Sequence, residues 1–161
     1  MIQAIRRILV YVDGSGESYS AARMAIVLAK TMGAELFSLS VVNTRALGEL
    51  VQAHIFLEAE REEYRRDLEG DVERYVNRVR ELGRKKGIAV NTEHVSGSVF
   101  EEISKAVSRH GADLLVMGSV TEVRSRREDL FADTERAARM VPCSVLIAKD
   151  EDRIDELYEA L

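Results

Sequence analysis

A single cysteine stands in the 161 residues, which excludes an internal disulfide and any cysteine cluster for a metal. No apolar run approaches the roughly 20 residues that a membrane span needs. Charge of one sign does not dominate either. The 23 basic and 28 acidic residues leave a net charge of −5, with no general attraction to nucleic acid or acidic membranes. His54, His94 and His110 lack H-x-x-x-H or similar ligand spacing, so they read as surface or helix-end residues. The turn Gly14-Ser15-Gly16 has neither the spacing nor the lysine of a P-loop, and no G-x-S-x-G elbow occurs. Linkers, internal repeats and low-complexity segments are missing as well, which leaves one domain of ordinary soluble composition. The amino terminus runs directly into an apolar segment, leaving no room for a signal peptide, so a cytoplasmic chain is expected.

What is present is a rhythm of buried strands and helices. Residues 8–12, Ile-Leu-Val-Tyr-Val, form an unbroken run ending at Asp13, as expected of a parallel strand covered on both faces. A carboxylate at the carboxyl end of such a strand can accept hydrogen bonds from a ribose hydroxyl or cap the next helix, and capping is the commoner use. Residues 17–32 carry Ala21, Ala22, Met24, Ala25, Leu28 and Ala29 at helical spacing, and Gly33 follows where a left-handed helix end is wanted. Residues 35–43 read as the second strand, so a right-handed βαβ unit is expected.

Residues 44–56 have no clear period and read as a loop or loose helix. Beyond them Leu68, Val72, Val76, Val79 and Leu82 mark one apolar face of a charged helix, with Gly70 a possible kink and Gly87 a stop. The remaining charges read as a solvated face with i,i+4 ion pairs. Residues 88–96 alternate, as an edge strand does. Ser98 and Glu101 fit a capping box before a helix over residues 99–110. A central fourth strand, residues 112–118, is followed by a polar segment, a short helix over residues 133–140, and a fifth strand after Pro142. Cys143 reads as a small apolar filler. The acidic tail, residues 150–161, places Ile154, Leu157, Tyr158 and Leu161 on one helix face, ready to dock on the body or on a partner chain.

These pieces together resemble the universal stress protein family. The resemblance rests on residues 8–13 with the Gly-Ser turn, Val41-Val42, Gly97-Ser98-Val99, Ala112-Asp-Leu-Leu-Val-Met-Gly-Ser119 and Val141-Pro-Cys-Ser-Val-Leu-Ile147. It covers residues 1–149 as one domain and leaves residues 150–161 as a separate helical tail. It implies a doubly wound α/β fold with a five-stranded parallel sheet in the order 3-2-1-4-5. It also implies a homodimer paired edge to edge through the fifth strand, at Val145 and Ile147.

In the ATP-binding branch the loop after strand four reads Gly, two residues, Gly, nine residues, Gly, then Ser or Thr. On this chain those places fall on Gly118, Thr121, Phe131 and Ala132, so the spacing survives and three of the four residue types do not. Thr121 is poorly suited to φ > 0, Phe131 sets a ring where phosphate oxygens would come, and Ala132 offers no hydroxyl. Arg124, Arg126 and Arg127 in the same loop are either phosphate partners or a solvated set balanced by Glu122, Glu128 and Asp129. The nucleoside half is better kept: Asp13, Val41 and Met117 match positions the family uses there, although each also serves the fold. The expectation is a dimeric stress-response scaffold acting through contacts with a protein partner, with a weak or vestigial pocket. The alternative is a sensor module for ATP or AMP. No catalytic residue, metal site, nucleic-acid partner or membrane partner is expected, and slow nucleotide hydrolysis stays open.

Overall fold

A computed structural model describes residues 2–53, 57–119 and 128–161, with the backbone alone for residues 128–132. The elements in chain order are β1 (Arg7–Tyr11), α1 (Gly16–Met32), β2 (Glu35–Asn43), α2 (Thr44–Gln52), α3 (Glu58–Lys85) and β3 (Val90–Gly97). They continue with α4 (Val99–His110), β4 (Leu114–Gly118), α5 (Glu128–Met140), β5 (Ser144–Ala148) and α6 (Glu151–Glu159). The sheet is five-stranded, with order β3-β2-β1-β4-β5 and every described pair parallel. The expected doubly wound α/β fold is therefore the observed one.

Strand β1 is central because both its faces are apolar. Ile8, Val10 and Val12 pack against Ala21, Ala22, Ala25 and Ile26 of α1. Leu9 and Tyr11 point the other way, onto Val99, Ile103 and Ala106 of α4 and Ala137 of α5. Each fully buried aliphatic side chain contributes about 1.5–3 kcal/mol relative to exposure, so the two clusters supply the main drive for this layering. The alanines of α1 bring its backbone close to the sheet. At the crest this approach becomes extreme: a Cβ on Gly118 would stand 2.6 Å from the carbonyl carbon and oxygen of Glu17. Only glycine fits where the end of β4 meets the first turn of α1.

Several local expectations are corrected. Residues 44–52 form a regular helix, α2, because the Asn43 side chain accepts the Ala46 N–H at 3.0 Å and caps it. Helix α3 runs without a break through Gly70. Helix α5 begins at Glu128 rather than at residue 133. The Ser98–Glu101 capping box does not form: Ser98 stands at the N-cap of α4 but makes no capping bond to its own helix. The α1 cap is Ser15, whose Oγ accepts the Ser18 N–H at 3.1 Å, and not Asp13.

The tail docks on its own body. Ile154 and Tyr158 of α6 are buried beside α1, and Leu157 and Leu161 pack on the same cluster. The Tyr158 hydroxyl donates to the Leu82 carbonyl at 2.7 Å, and Arg23 pairs with Asp155 at 3.5 Å. Among the described residues no helix is long and apolar enough to cross a membrane.

Candidate functional site

The sheet order reverses between β1 and β4, so the crevice of interest opens above the carboxyl ends of these two strands. Asp13 stands there, exposed, just beyond β1. Its Oδ1 accepts the Ser15 N–H at 2.9 Å and the Ser15 hydroxyl at 2.6 Å. The carboxylate thus holds the residue that caps α1, one step removed from capping it directly. Among the described residues no group bonds to its Oδ2, which leaves that oxygen with acceptor capacity.

Gly14 allows this turn. It sits at φ +84°, and a Cβ there would lie 2.3 Å from ring carbons of Tyr75. Helix α3 therefore lays an aromatic ring directly on the β1–α1 turn, a contact that sequence reading missed. Tyr75 lies between Val72 and Val76 in the apolar stripe, and nothing local marks it as a neighbour of Asp13.

Val41 is half-buried near the end of β2, opposite Val95 of β3. Met117 is 1 % exposed and packs among the residues under α4 and α5, so its side chain belongs to the core at this crest. Gly118 ends β4 beside the start of α1. The structure thus brings Asp13 and Gly118 to one crest with the end of β2. Thr121, Arg124, Arg126, Arg127 and His54 lie outside the described residues. Phe131 and Ala132 lie in α5, where their side chains are not described. Ala132 is a full turn inside that helix, where backbone N–H groups are already committed to the i→i−4 ladder.

Asp133 is the second carboxylate of the crest, and it too was not anticipated as a site residue. It reaches across to α4: its Oδ2 accepts the Ser98 hydroxyl at 3.3 Å and the Phe100 N–H at 3.5 Å. Its Oδ1 lies 3.8 Å from a guanidinium nitrogen of Arg45, from the first turn of α2. An aspartate near a helix start reads as the cap of its own helix; here it caps a different one.

Phenols complete the crest. Burial pushes the Tyr11 hydroxyl far above its ordinary value, and the charges of Asp13 and Asp133 add to the effect. Tyr19 and Tyr75 are raised for the same first reason, although Arg78, 4.0 Å over the Tyr19 ring, works against it there. All three stay protonated near neutral pH.

The other candidate chemistry falls to structural roles. His110 stacks on Phe37 at 4.3 Å and shares the Glu93 carboxylate with Arg109, at 2.9 and 2.6 Å. Partial burial alone would raise the Glu93 pKa; the bonds from His110 and Arg109 outweigh it and hold the group below its ordinary value. Cys143 borders an open cleft of about 520 Å³ at the amino-terminal end of the sheet, lined also by Ala4, Asp113 and Pro142. Burial raises its thiol pKa, opposite to what a reactive cysteine requires. Among the described residues no group of His, Cys, Asp or Glu is arranged to hold a metal.

The fold and crest define a doubly wound, parallel α/β domain whose sheet order reverses between β1 and β4. The profile of the universal stress protein family matches residues 4–149, and the chain belongs to that family. Among its relatives, universal stress protein MJ0531 of Methanocaldococcus jannaschii is 29% identical over 146 residues, covering 89% of this chain and 82% of its own. Universal stress protein YxiE of Bacillus subtilis is 27% identical over 150 residues, covering 89% of this chain and 98% of its own. Among solved structures, hypothetical protein MJ0577 superposes with a TM-score of 0.71 at 21% identity, over 91% of this chain and 96% of its own. A universal stress protein in complex with cAMP gives 0.66 at 20% identity, over 89% and 97%. Protein At3g01520 of Arabidopsis thaliana with AMP bound gives 0.63 at 16% identity, over 89% and 91%. The matched region ends before α6 begins.

Proposed function

We propose that this universal stress protein is a cytoplasmic homodimer that works through contacts with a protein partner and performs no catalysis of its own. The observation that carries the reading is the contrast between the two sheet edges. Strand β5, Ser-Val-Leu-Ile-Ala, has no charged residue, and Ile147 is 37% exposed on it with Val145 and Leu146 half-buried. An apolar edge without lysine or proline is a pairing surface unless covered. The opposite edge, β3, is guarded by charge: Arg80 donates to Thr92 at 2.6 Å, and Glu93 is tied to Arg109 and His110. Pairing two copies of β5 about a two-fold axis would bury Val145 and Ile147 and remove the hazard.

The second reading is a sensor module whose partner contacts change with an adenine nucleotide. The cAMP and AMP held by two structural neighbours favour it, as does the Asp13 Oδ2, to which no group bonds among the described residues. On this reading the ligand is held mainly through its nucleoside half, with Asp13 accepting ribose hydroxyls. Sedimentation equilibrium at micromolar concentration tests the dimer. The expected mass is about twice 18.1 kDa, and Ile147→Lys should reduce it to the monomer value. A parent protein that sediments as a monomer refutes the assignment.

A further inference from the structure

Two glycines show how α3 sits on the edge strand. Near its C-terminal end the helix lies hard against the start of β3. A Cβ on Gly83 would stand 2.5 Å from a methyl carbon of Val90 and 2.7 Å from the Ile88 carbonyl oxygen. A Cβ on Gly70 would meet nothing within 4 Å. Gly70 serves no turn, kink or close approach, and glycine inside a helix is unfavourable relative to alanine. It lines an open groove of about 600 Å³ between α3 and the second half of β3, and its missing side chain keeps the middle of that groove clear. The other helix positions there are Arg66, Glu69 and Glu73, spaced as one face, and the strand contributes His94 and Ser96. One turn further along, the same face is closed: Arg80 bonds Asn77 and donates to Thr92. The guard on β3 therefore stops short of the groove. Because β3 ends the described sheet, a row of its backbone N–H and C=O groups faces away from β2. Ser40, the register partner of His94, lies on the α3 face, two residues before Val42, which packs on Val72 and Val76. Its hydroxyl is buried without a hydrogen-bond partner among the described residues, so the packing of α3 on the sheet is polar and incomplete at this level.

We propose that this groove is a peptide-docking site. An extended segment of a partner protein adds to β3 as a sixth strand beside α3, with a lysine or arginine side chain in the gap at Gly70, between Glu69 and Glu73. The inference rests on the reading that the protein works through a protein partner, and it names the surface and the chemistry of that contact. An edge strand beside a helix supplies main-chain hydrogen bonds for affinity and side-chain positions for selection. Glu73 has no ion pair among the described residues, whereas Glu69 bonds Arg65 at 3.1 Å. Residues 58–74 carry eight acidic and four basic side chains, so the field over the groove favours a cation. Arg66, one turn further out, suits an acidic residue flanking the basic one.

The test uses the full-length protein as bait for a phage-displayed library of random peptides of about twelve residues, long enough to cover β3. Affinities of the selected peptides are then measured by fluorescence polarisation. These peptides should share a lysine or arginine in a β-prone, proline-free setting, and their binding should slow hydrogen exchange at the amides of residues 94–96. Gly70→Leu fills the groove while favouring the helix, so it should weaken binding by about tenfold or more without lowering Tm. Glu73→Lys, at an exposed position, should weaken binding by about tenfold, the scale of one charge-assisted hydrogen bond. A peptide with glutamate in place of its basic residue should bind this variant better than it binds the parent. If Gly70→Leu does not fold, the charge exchange at Glu73 decides. Enrichment of no peptide overturns the proposal, and so do selected peptides that bind the folded variants as they bind the parent. Peptides that bind yet leave residues 94–96 unprotected also overturn it, while the reading of a partner-binding protein stands. Sedimentation judges the dimer independently.

Discussion

Replacing Tyr158 with Phe removes one oxygen from α6 and should measurably loosen the hold of the tail on the body. The last four carbonyls of a helix have no partner within it, and Leu82 supplies one of these at the end of α3. The N–H groups of Lys86 and Ile88 go to Gly83 and that of Gly87 to Arg84, so the Leu82 carbonyl is served by the Tyr158 hydroxyl at 2.7 Å. Phe keeps the apolar ring and its place 4.8 Å from the Lys86 ammonium, so the change isolates the hydroxyl. A net neutral hydrogen bond contributes about 0.5–1.5 kcal/mol, and a buried carbonyl left unpaired costs about 1–3 kcal/mol. Leu82 is only partly buried, so water recovers some of the loss and a cost of about 1–2 kcal/mol is expected. For a domain of this size each kcal/mol corresponds to about 2–4 °C in Tm. Thermal and urea unfolding at matched protein concentration give the value, since the proposed dimer would make apparent stability concentration-dependent. Ile154→Ala, which empties a buried site on the same helix, should cost about 2–5 kcal/mol and serves as the reference. If Tyr158→Phe matches the parent within about 0.3 kcal/mol while Ile154→Ala destabilises, the hydroxyl does not cap α3 and the reasoning is refuted.

The tyrosines predict an alkaline limit. Tyr11, Tyr19, Tyr75 and Tyr158 all have pKa values raised in the folded state, first by burial, so the folded state keeps protons that the unfolded chain releases. Their contribution is fully present below the ordinary tyrosine value of about 10 and falls as pH rises above it. Unfolding followed between pH 8 and 11 should show this decline, and Tyr11→Phe should flatten it; an unchanged slope would refute the assignment. In the segment after β4 and the first turns of α5, Thr121→Gly, Phe131→Gly and Ala132→Ser together should raise ATP affinity, measured by calorimetry. A folded triple variant that binds ATP no better than the parent would show that the lost glycines and hydroxyl do not decide binding.

Read alone, the chain determined most of what depends on short-range pattern. The continuous apolar run of residues 8–12 marked a strand covered on both faces, and the alternation before Ser96 marked an edge. Gly33 was placed where the backbone turns left-handed at φ +67°. The apolar helix face of the tail was visible as well, though not which surface it would cover. Those features are legible because period and backbone freedom are local properties, set by neighbours within a turn or two. Tertiary structure decided the rest. Asp133 looks like the start of its own helix and instead caps one that begins 34 residues earlier, at Val99. Ser98 and Glu101 have the right spacing for a capping box, yet the Ser98 hydroxyl is taken by that distant carboxylate. Tyr75 lies on Gly14 only because α3 packs over the crest. In each case several partners satisfy the same local chemistry, and the choice among them is made by the layered packing of helices on the sheet, which brings groups far apart in sequence within hydrogen-bonding reach.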